Sequence, residues 1–231
     1  MTTPKKILVA VTSEGAYRKT GYRTGLWLGE LTHFWDVAGP AGFEMDIPAP
    51  RGGVVPLDPE SLSAAMLGEL GTIDRYRDRA FMDLLDHSGK LADARVEDYA
   101  AVYLTGGHGV MFDFPEALGG LVTRFFETGR VVSSVCHGAA GLLEARLSTG
   151  EPLVAGRALT GFSRQEEVLA QRDDAVPFSL EDRLRQLGAD YRLADRPFAP
   201  YVVEDGTLIT GQNPFSARGV AEAVVRRLQQ A

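Results

Sequence analysis

Residues 131–145 read VVSSVCHGAAGLLEA, and the order of residue types in this stretch decides the fold. VVSSV is a short β-branched run suited to a strand buried on both faces. Cys136 and His137 follow at once, and Gly138, Ala139 and Ala140 then open a helical segment of small residues. A strand, a nucleophilic residue and a small-residue helix make a nucleophile elbow. The sharp turn lifts one side chain out of the sheet, and the small residues let the helix pack close. Unpaired amides and the helix dipole at such a turn favour thiolate over thiol. Cys136 is therefore expected to be a reactive nucleophile rather than a structural cysteine, with His137 as its general base and ion-pair partner.

Working outward, residues 101–105 (AVYLT) form a like strand that runs into Gly106-Gly107-His108-Gly109. Glycines there allow close backbone approach, so the Gly107 and His108 amides are candidate donors to an oxyanion. Residues 6–11 (KILVAV) give a first buried strand and 43–47 (FEMDI) a second, with a helix between them over 25–38 ended by Gly39 and Pro40. Helices are expected over 59–70, 75–86, 116–128, 164–170, 179–187 and 214–228. A short strand is expected near 158–160, and a hairpin over 201–210 through Asp205-Gly206. Strands alternating with helices predict an α/β flavodoxin-like three-layer sandwich with a mostly parallel sheet, in which ligands bind beyond the carboxyl ends of the strands. The Pro/Gly-rich loop and short helices of residues 52–95 read as a cap inserted in a single domain spanning 1–231, because they hold too few apolar residues for a core of their own.

Composition narrows the function. The 231 residues are 45% hydrophobic and 24% charged, which excludes a disordered chain. A net charge of -7 argues against nucleic acid as a partner. No apolar run is long enough to span a membrane, and the apolar run in MTTPKKILVAVTS is too short for a signal peptide, so a reducing cytoplasmic setting is expected. The single cysteine forms no intrachain disulfide. The histidines are His33, His87, His108 and His137. None follows the elbow, so the Cys…His-x-Glu triad of glutamine amidotransferases is excluded. Nor do histidine and cysteine recur at metal-ligand spacing, so no metal is expected.

The motifs AVYLTGGHG, VCHG, GLWLGELTH, PRGGVVPLDPES and GTLITGQNPFSA, in this order of interest, together resemble the ThiJ/PfpI superfamily over residues 6–228, and most of all its glyoxalase III and heat-shock branch. The resemblance implies a cofactor-independent enzyme that converts methylglyoxal or related 2-oxoaldehydes to 2-hydroxy acids through a cysteine thiolate, in a homodimer. It implies Cys136 as nucleophile, His137 as partner, and Glu30 as a carboxylic acid beside the sulfur. A carboxyl desolvated next to a thiolate stays protonated, because two anions would repel. A further acid orienting His137 is either Glu166 or Glu167. Three alternatives stand beside this reading: a hydratase or hydrolase of small nitrogen compounds, a stress chaperone with an oxidisable Cys136, and a peptidase. Tyr17, Tyr22 and Arg23 are assigned to a solvated loop, and Trp27 and Trp35 to core or subunit interface.

Overall fold

Along β1 (Lys6–Ala10) the side chains alternate between two cores: Ile7 and Val9 join one, Leu8 and Ala10 the other. This period of two, with both faces apolar, is what a central parallel strand requires. The computed structural model describes residues 5–230, so the first four residues of the N-terminal segment lie outside the described residues. After β1 come α1 (Leu28–Ala38), β2 (Glu44–Asp46), the short helices α2 (Ala64–Glu69), α3 (Ile73–Arg77) and α4 (Arg79–Asp83), β3 (Ala101–Leu104), α5 (Val110–Glu127) and β4 (Val131–Val135). Then follow β5 (Ala158–Leu159), α6 (Arg164–Leu169), α7 (Leu180–Gln186), β6 (Asp190–Tyr191), β7 (Val202–Asp205), β8 (Leu208–Gly211) and α8 (Ala217–Gln229).

The main sheet has the order β2-β1-β3-β4-β8-β7, parallel throughout except that the edge strand β7 runs antiparallel to β8. β5 and β6 pair with each other outside it. Leu28, Leu31 and Phe34 of α1 and Val220, Ala221 and Val224 of α8 cover one face; Val110, Phe114, Leu118, Val122 and Phe125 of α5 cover the other. Phe34 stacks on Tyr103 of β3 with ring centroids 3.9 Å apart. Full burial of one such side chain is worth about 1.5–3 kcal/mol, so each layer is held mainly by its apolar stripe. The result is the expected flavodoxin-like three-layer α/β fold. The chain leaves β1 for β2 on one side and then crosses back to β3 on the other, and the crevice beyond this switch point is where such folds bind ligands.

Three local expectations are corrected. Residues 59–86 do not form two helices. A 3-10 turn at Pro59–Leu62 gives way to α2, α3 and α4, because the Ser63 and Asp78 side chains accept the Met66 and Phe81 amides and cap new helices. α5 starts at Val110 rather than 116 and carries Pro115 inside it. Its first turn grows directly out of the GGHG loop through bonds from Val110, Met111 and Phe112 to the carbonyls of Gly107, His108 and Gly109. Burial of Val110, Met111 and Phe114 outweighs the missing proline donor. After Cys136 the chain takes a 3-10 turn, Cys136–Leu142, not an α-helix.

Candidate functional site

β3 and β4 deliver their residues to one crevice because they are paired in register, with Leu104 opposite Ser134. Gly106 follows β3 and Cys136 follows β4. A Cβ built on Gly106 would stand 2.7 Å from Glu30 Oε2 and 2.9 Å from Cys136 Cβ, so glycine alone lets the acid and the cysteine approach across it. Gly138 plays the same part for the elbow, where a Cβ would lie 2.2 Å from the Leu104 carbonyl oxygen. Cys136 itself is held at φ 56°, a left-handed conformation rare for a side-chain-bearing residue.

Cys136 Sγ lies 3.3 Å from His137 Nδ1. The opposite ring nitrogen, His137 Nε2, donates to Glu167 Oε2 at 2.8 Å, and His108 Nε2 donates to Glu167 Oε1 at 2.7 Å. One carboxylate thus holds two imidazoles whose centroids are 4.2 Å apart, and Phe162 packs on His137 from the other side. Burial opposes ionisation of Glu167, but His137 and then His108 more than offset it and hold the carboxyl well below the usual range. Burial, and then His108, lower the pKa of His137. A neutral His137 that gives its Nε2 hydrogen to an anionic Glu167 presents a bare Nδ1 to the thiol. That is the arrangement of a base aimed at sulfur.

Glu30, from the first turn of α1, enters from the opposite wall and is completely buried. Burial pushes its carboxyl up to about 8, against the pull of the Gly106 amide, which donates to Oε2 at 2.6 Å. Its Oε1 has no hydrogen-bond partner among the described residues. Burial also pushes the Cys136 thiol up, and a charge on Glu30 would push it further; the His137 and Gly107 amides pull it back. The expectation of a low thiol pKa from turn amides captured only that smaller, opposing part. Two acids that cannot both be anions share at least one proton at neutral pH.

The two glutamates left open by the sequence separate cleanly. Glu167 is the partner of His137. Glu166 closes a capping box with Ser163, and its Oε1 also accepts from the Phe198 amide, Gln212 and Asn213. The Ser163-x-x-Glu166 spacing is a signal that could have assigned Glu166 to the cap and left Glu167 for the site. The His108 ring, considered in the sequence only for its amide, is a second partner of Glu167. Tyr17 is buried against His108, with centroids 5.4 Å apart, whereas Tyr22 is exposed as expected. Trp27, assigned to core or interface, instead lines the pocket over Cys136, together with Gly107, His108, His137, Phe162, Phe198 and Phe215. Glu60 and Met66, from the 52–95 segment, complete its rim, and Glu60 pairs with Arg172. The pocket has a cavity volume of about 70 Å³ and is mostly apolar. A wider groove beside β2, bounded by Trp35, Asp46 and Tyr99, lies apart from Cys136. His108, His137 and Glu167 offer metal-ligand atoms within 4.8 Å of one another, but the nitrogens facing Glu167 are engaged as hydrogen-bond donors to it. Among the described residues no helix is long and apolar enough to cross a membrane.

A doubly wound sheet that lifts one cysteine from a strand–turn junction, beside a histidine and a buried acid, defines a class: elbow-type α/β proteins with a thiol at the turn. The chain belongs to the DJ-1/PfpI family, whose sequence pattern matches residues 83–227. It is 32% identical to glutathione-independent glyoxalase HSP31 of Saccharomyces cerevisiae, over 94% of this chain and 95% of that protein. Among solved structures it resembles Rapid Encystment Protein 24 kDa of Francisella tularensis, with a TM-score of 0.90 and 33% identity over 96% of this chain and 98% of that one. It also resembles glyoxalase III from Candida albicans, with a TM-score of 0.83 and 30% identity over 96% of each chain.

Proposed function

We propose that this protein is a glutathione-independent, glyoxalase III-like lyase that converts methylglyoxal or a related 2-oxoaldehyde to the 2-hydroxy acid. The observation that carries the reading is the Cys136 thiol 3.3 Å from His137 Nδ1, with the buried Glu30 carboxyl approaching the same cysteine across Gly106. The similarity to named glyoxalases over nearly the whole chain supports the same reaction class.

His137 accepts the thiol proton as sulfur attacks the aldehyde carbon, so the thiolate forms during attack rather than at rest. The new C–S bond gives a hemithioacetal whose oxygen takes N–H groups from Gly107 and His108. His137 passes the thiol proton to the hemithioacetal oxygen and, neutral again, removes the hydrogen on that carbon. The electron pair moves to the neighbouring ketone as an enediolate, and a proton returns to the ketone carbon. The aldehyde carbon is thereby oxidised to a thioester while the ketone is reduced to an alcohol, so no external oxidant or reductant enters. Water cleaves the thioester and regenerates Cys136. Glu167 fixes the His137 tautomer through Nε2, the role of an orienting acid.

Residues 52–95 act as a cap in a single domain, and Glu60 and Met66 at the pocket rim support this. The single cysteine, which must stay reduced to react, supports a cytoplasmic setting, and the family resemblance supports a homodimer. The test is lactate formation from methylglyoxal without glutathione. Wild type forms it and Cys136→Ala does not; a fully active Cys136→Ala, or an inert wild type, overturns the proposal.

A further inference from the structure

The pocket holds one polar group that the scheme above leaves idle. Trp27 lines it together with Cys136, Gly107 and His108, yet its indole Nε1 is buried and has no hydrogen-bond acceptor among the described residues. An indole nitrogen can only donate. Buried donors in folded proteins are nearly always paired, and one that is not calls for an explanation. Trp27 caps the start of α1, three residues before Glu30, and its backbone N–H donates to the Gly106 carbonyl at 3.3 Å. The Trp27 backbone is therefore tied to the same loop that supplies the oxyanion amides, and its indole lines a pocket whose other walls are largely Phe162, Phe198, Phe215 and Met66.

We infer that the Trp27 indole N–H is the donor for the second carbonyl oxygen of a vicinal dicarbonyl substrate. This rests on the glyoxalase reading and refines it. A 2-oxoaldehyde brings two adjacent oxygens. The one on the attacked carbon takes the Gly107 and His108 amides, and the ketone oxygen needs a donor of its own. That oxygen gains negative charge when the hydrogen leaves the neighbouring carbon, so a donor there favours the enediolate over the ground state. A simple aldehyde has no such oxygen and leaves the indole unpaired, so Trp27 sets a preference for dicarbonyls.

Two measurements test this without relying on turnover. The first is protection of Cys136 from iodoacetamide by methyl pyruvate, which has two adjacent carbonyls but no aldehyde hydrogen, compared with butanone. Wild type prefers methyl pyruvate roughly five-fold, as expected for one neutral hydrogen bond, and Trp27→Phe loses the preference when each protected rate is divided by that variant's own unprotected rate. The second uses wild-type protein and so survives a folding defect in the variant: the Trp27 indole N–H proton resonance, identified with Trp35→Phe, shifts with methyl pyruvate and not with butanone. In turnover, Trp27→Phe lowers kcat/KM for methylglyoxal about thirty-fold, the scale of a hydrogen bond to developing charge. An unmoved indole resonance, or a preference retained in Trp27→Phe, overturns the inference. A wild type that binds methyl pyruvate through Trp27 but forms no lactate sinks the glyoxalase reading alone.

Discussion

On the α1 side of Cys136, Glu30 receives, among the described residues, a single backbone N–H and keeps one oxygen unpartnered, and its carboxyl is raised to about 8. On the α6 side, Glu167 receives hydrogen bonds from two imidazoles and is held well below the usual carboxylate range. Both are buried glutamates a few ångströms from the same pocket, so residue type decides nothing here; the number of donors decides. A carboxyl given a single donor in an apolar wall keeps its proton, and one clasped by two imidazole N–H groups keeps its charge. The site thus has a proton to give on one wall and a fixed anion on the other, with the sulfur between.

The comparison breaks most visibly at Glu30. In Glu30→Gln, kcat/KM for methylglyoxal should fall about 10³-fold, within the range for loss of a proton-transferring group, while iodoacetamide still alkylates Cys136. Full activity in that variant would remove the protonated wall from the mechanism. Glu167→Gln should cost about 10²-fold, because one imidazole would then face an amide N–H and the His137 tautomer would no longer be fixed. The pH profile sharpens the contrast. Activity should drop about ten-fold per pH unit above about 8 as Glu30 loses its proton, and the acid limb, set by protonation of His137, should lie below the ordinary histidine range because burial lowers its pKa.

Stability tests the same wall in the opposite sense. The folded Glu30 pKa of about 8 stands above the ordinary carboxyl value, so between those two values the unfolded chain ionises Glu30 and the folded chain does not. The folded state therefore loses stability as pH rises through that window. Glu30→Gln should be more stable than wild type by a few kcal/mol at pH 8, and the gap should close as pH falls towards 4.5, as thermal unfolding would show. The smallest effect on rate is expected at Glu166, whose bonds go to the capping box and to the loop of Phe198. Glu166→Gln should change kcat/KM less than about five-fold while lowering the melting temperature, since a buried acceptor becomes a donor facing donors.

Much of this was legible in the chain. The apolar runs at 6–11, 101–105 and 131–135 carry their own strand signal, and Cys136 and His137 are adjacent, so their contact depended only on side-chain direction. Glu30 was reached through family resemblance, since helical spacing alone does not tell a buried acid from a solvated one. What stayed hidden was long-range. Glu167 meets His108 across 59 residues of sequence, and no local pattern encodes that contact. The pocket role of Trp27 was hidden because an aromatic residue at a helix start looks the same whether its polar end is wet, packed or waiting for a ligand. The early start of α5 was masked by Pro115, whose local penalty the buried face of that helix outweighs.

The backbone at Cys136, fixed at φ 56°, means that the molecule is less stable than it could be at the position where it works. Only glycine sits there without penalty. Replacing Cys136 by glycine should therefore give a protein that outlasts the alanine substitution by about 1 kcal/mol in unfolding experiments, although both are inert. Selection for durability alone would erase the sulfur, so its presence marks a trade of robustness for chemistry.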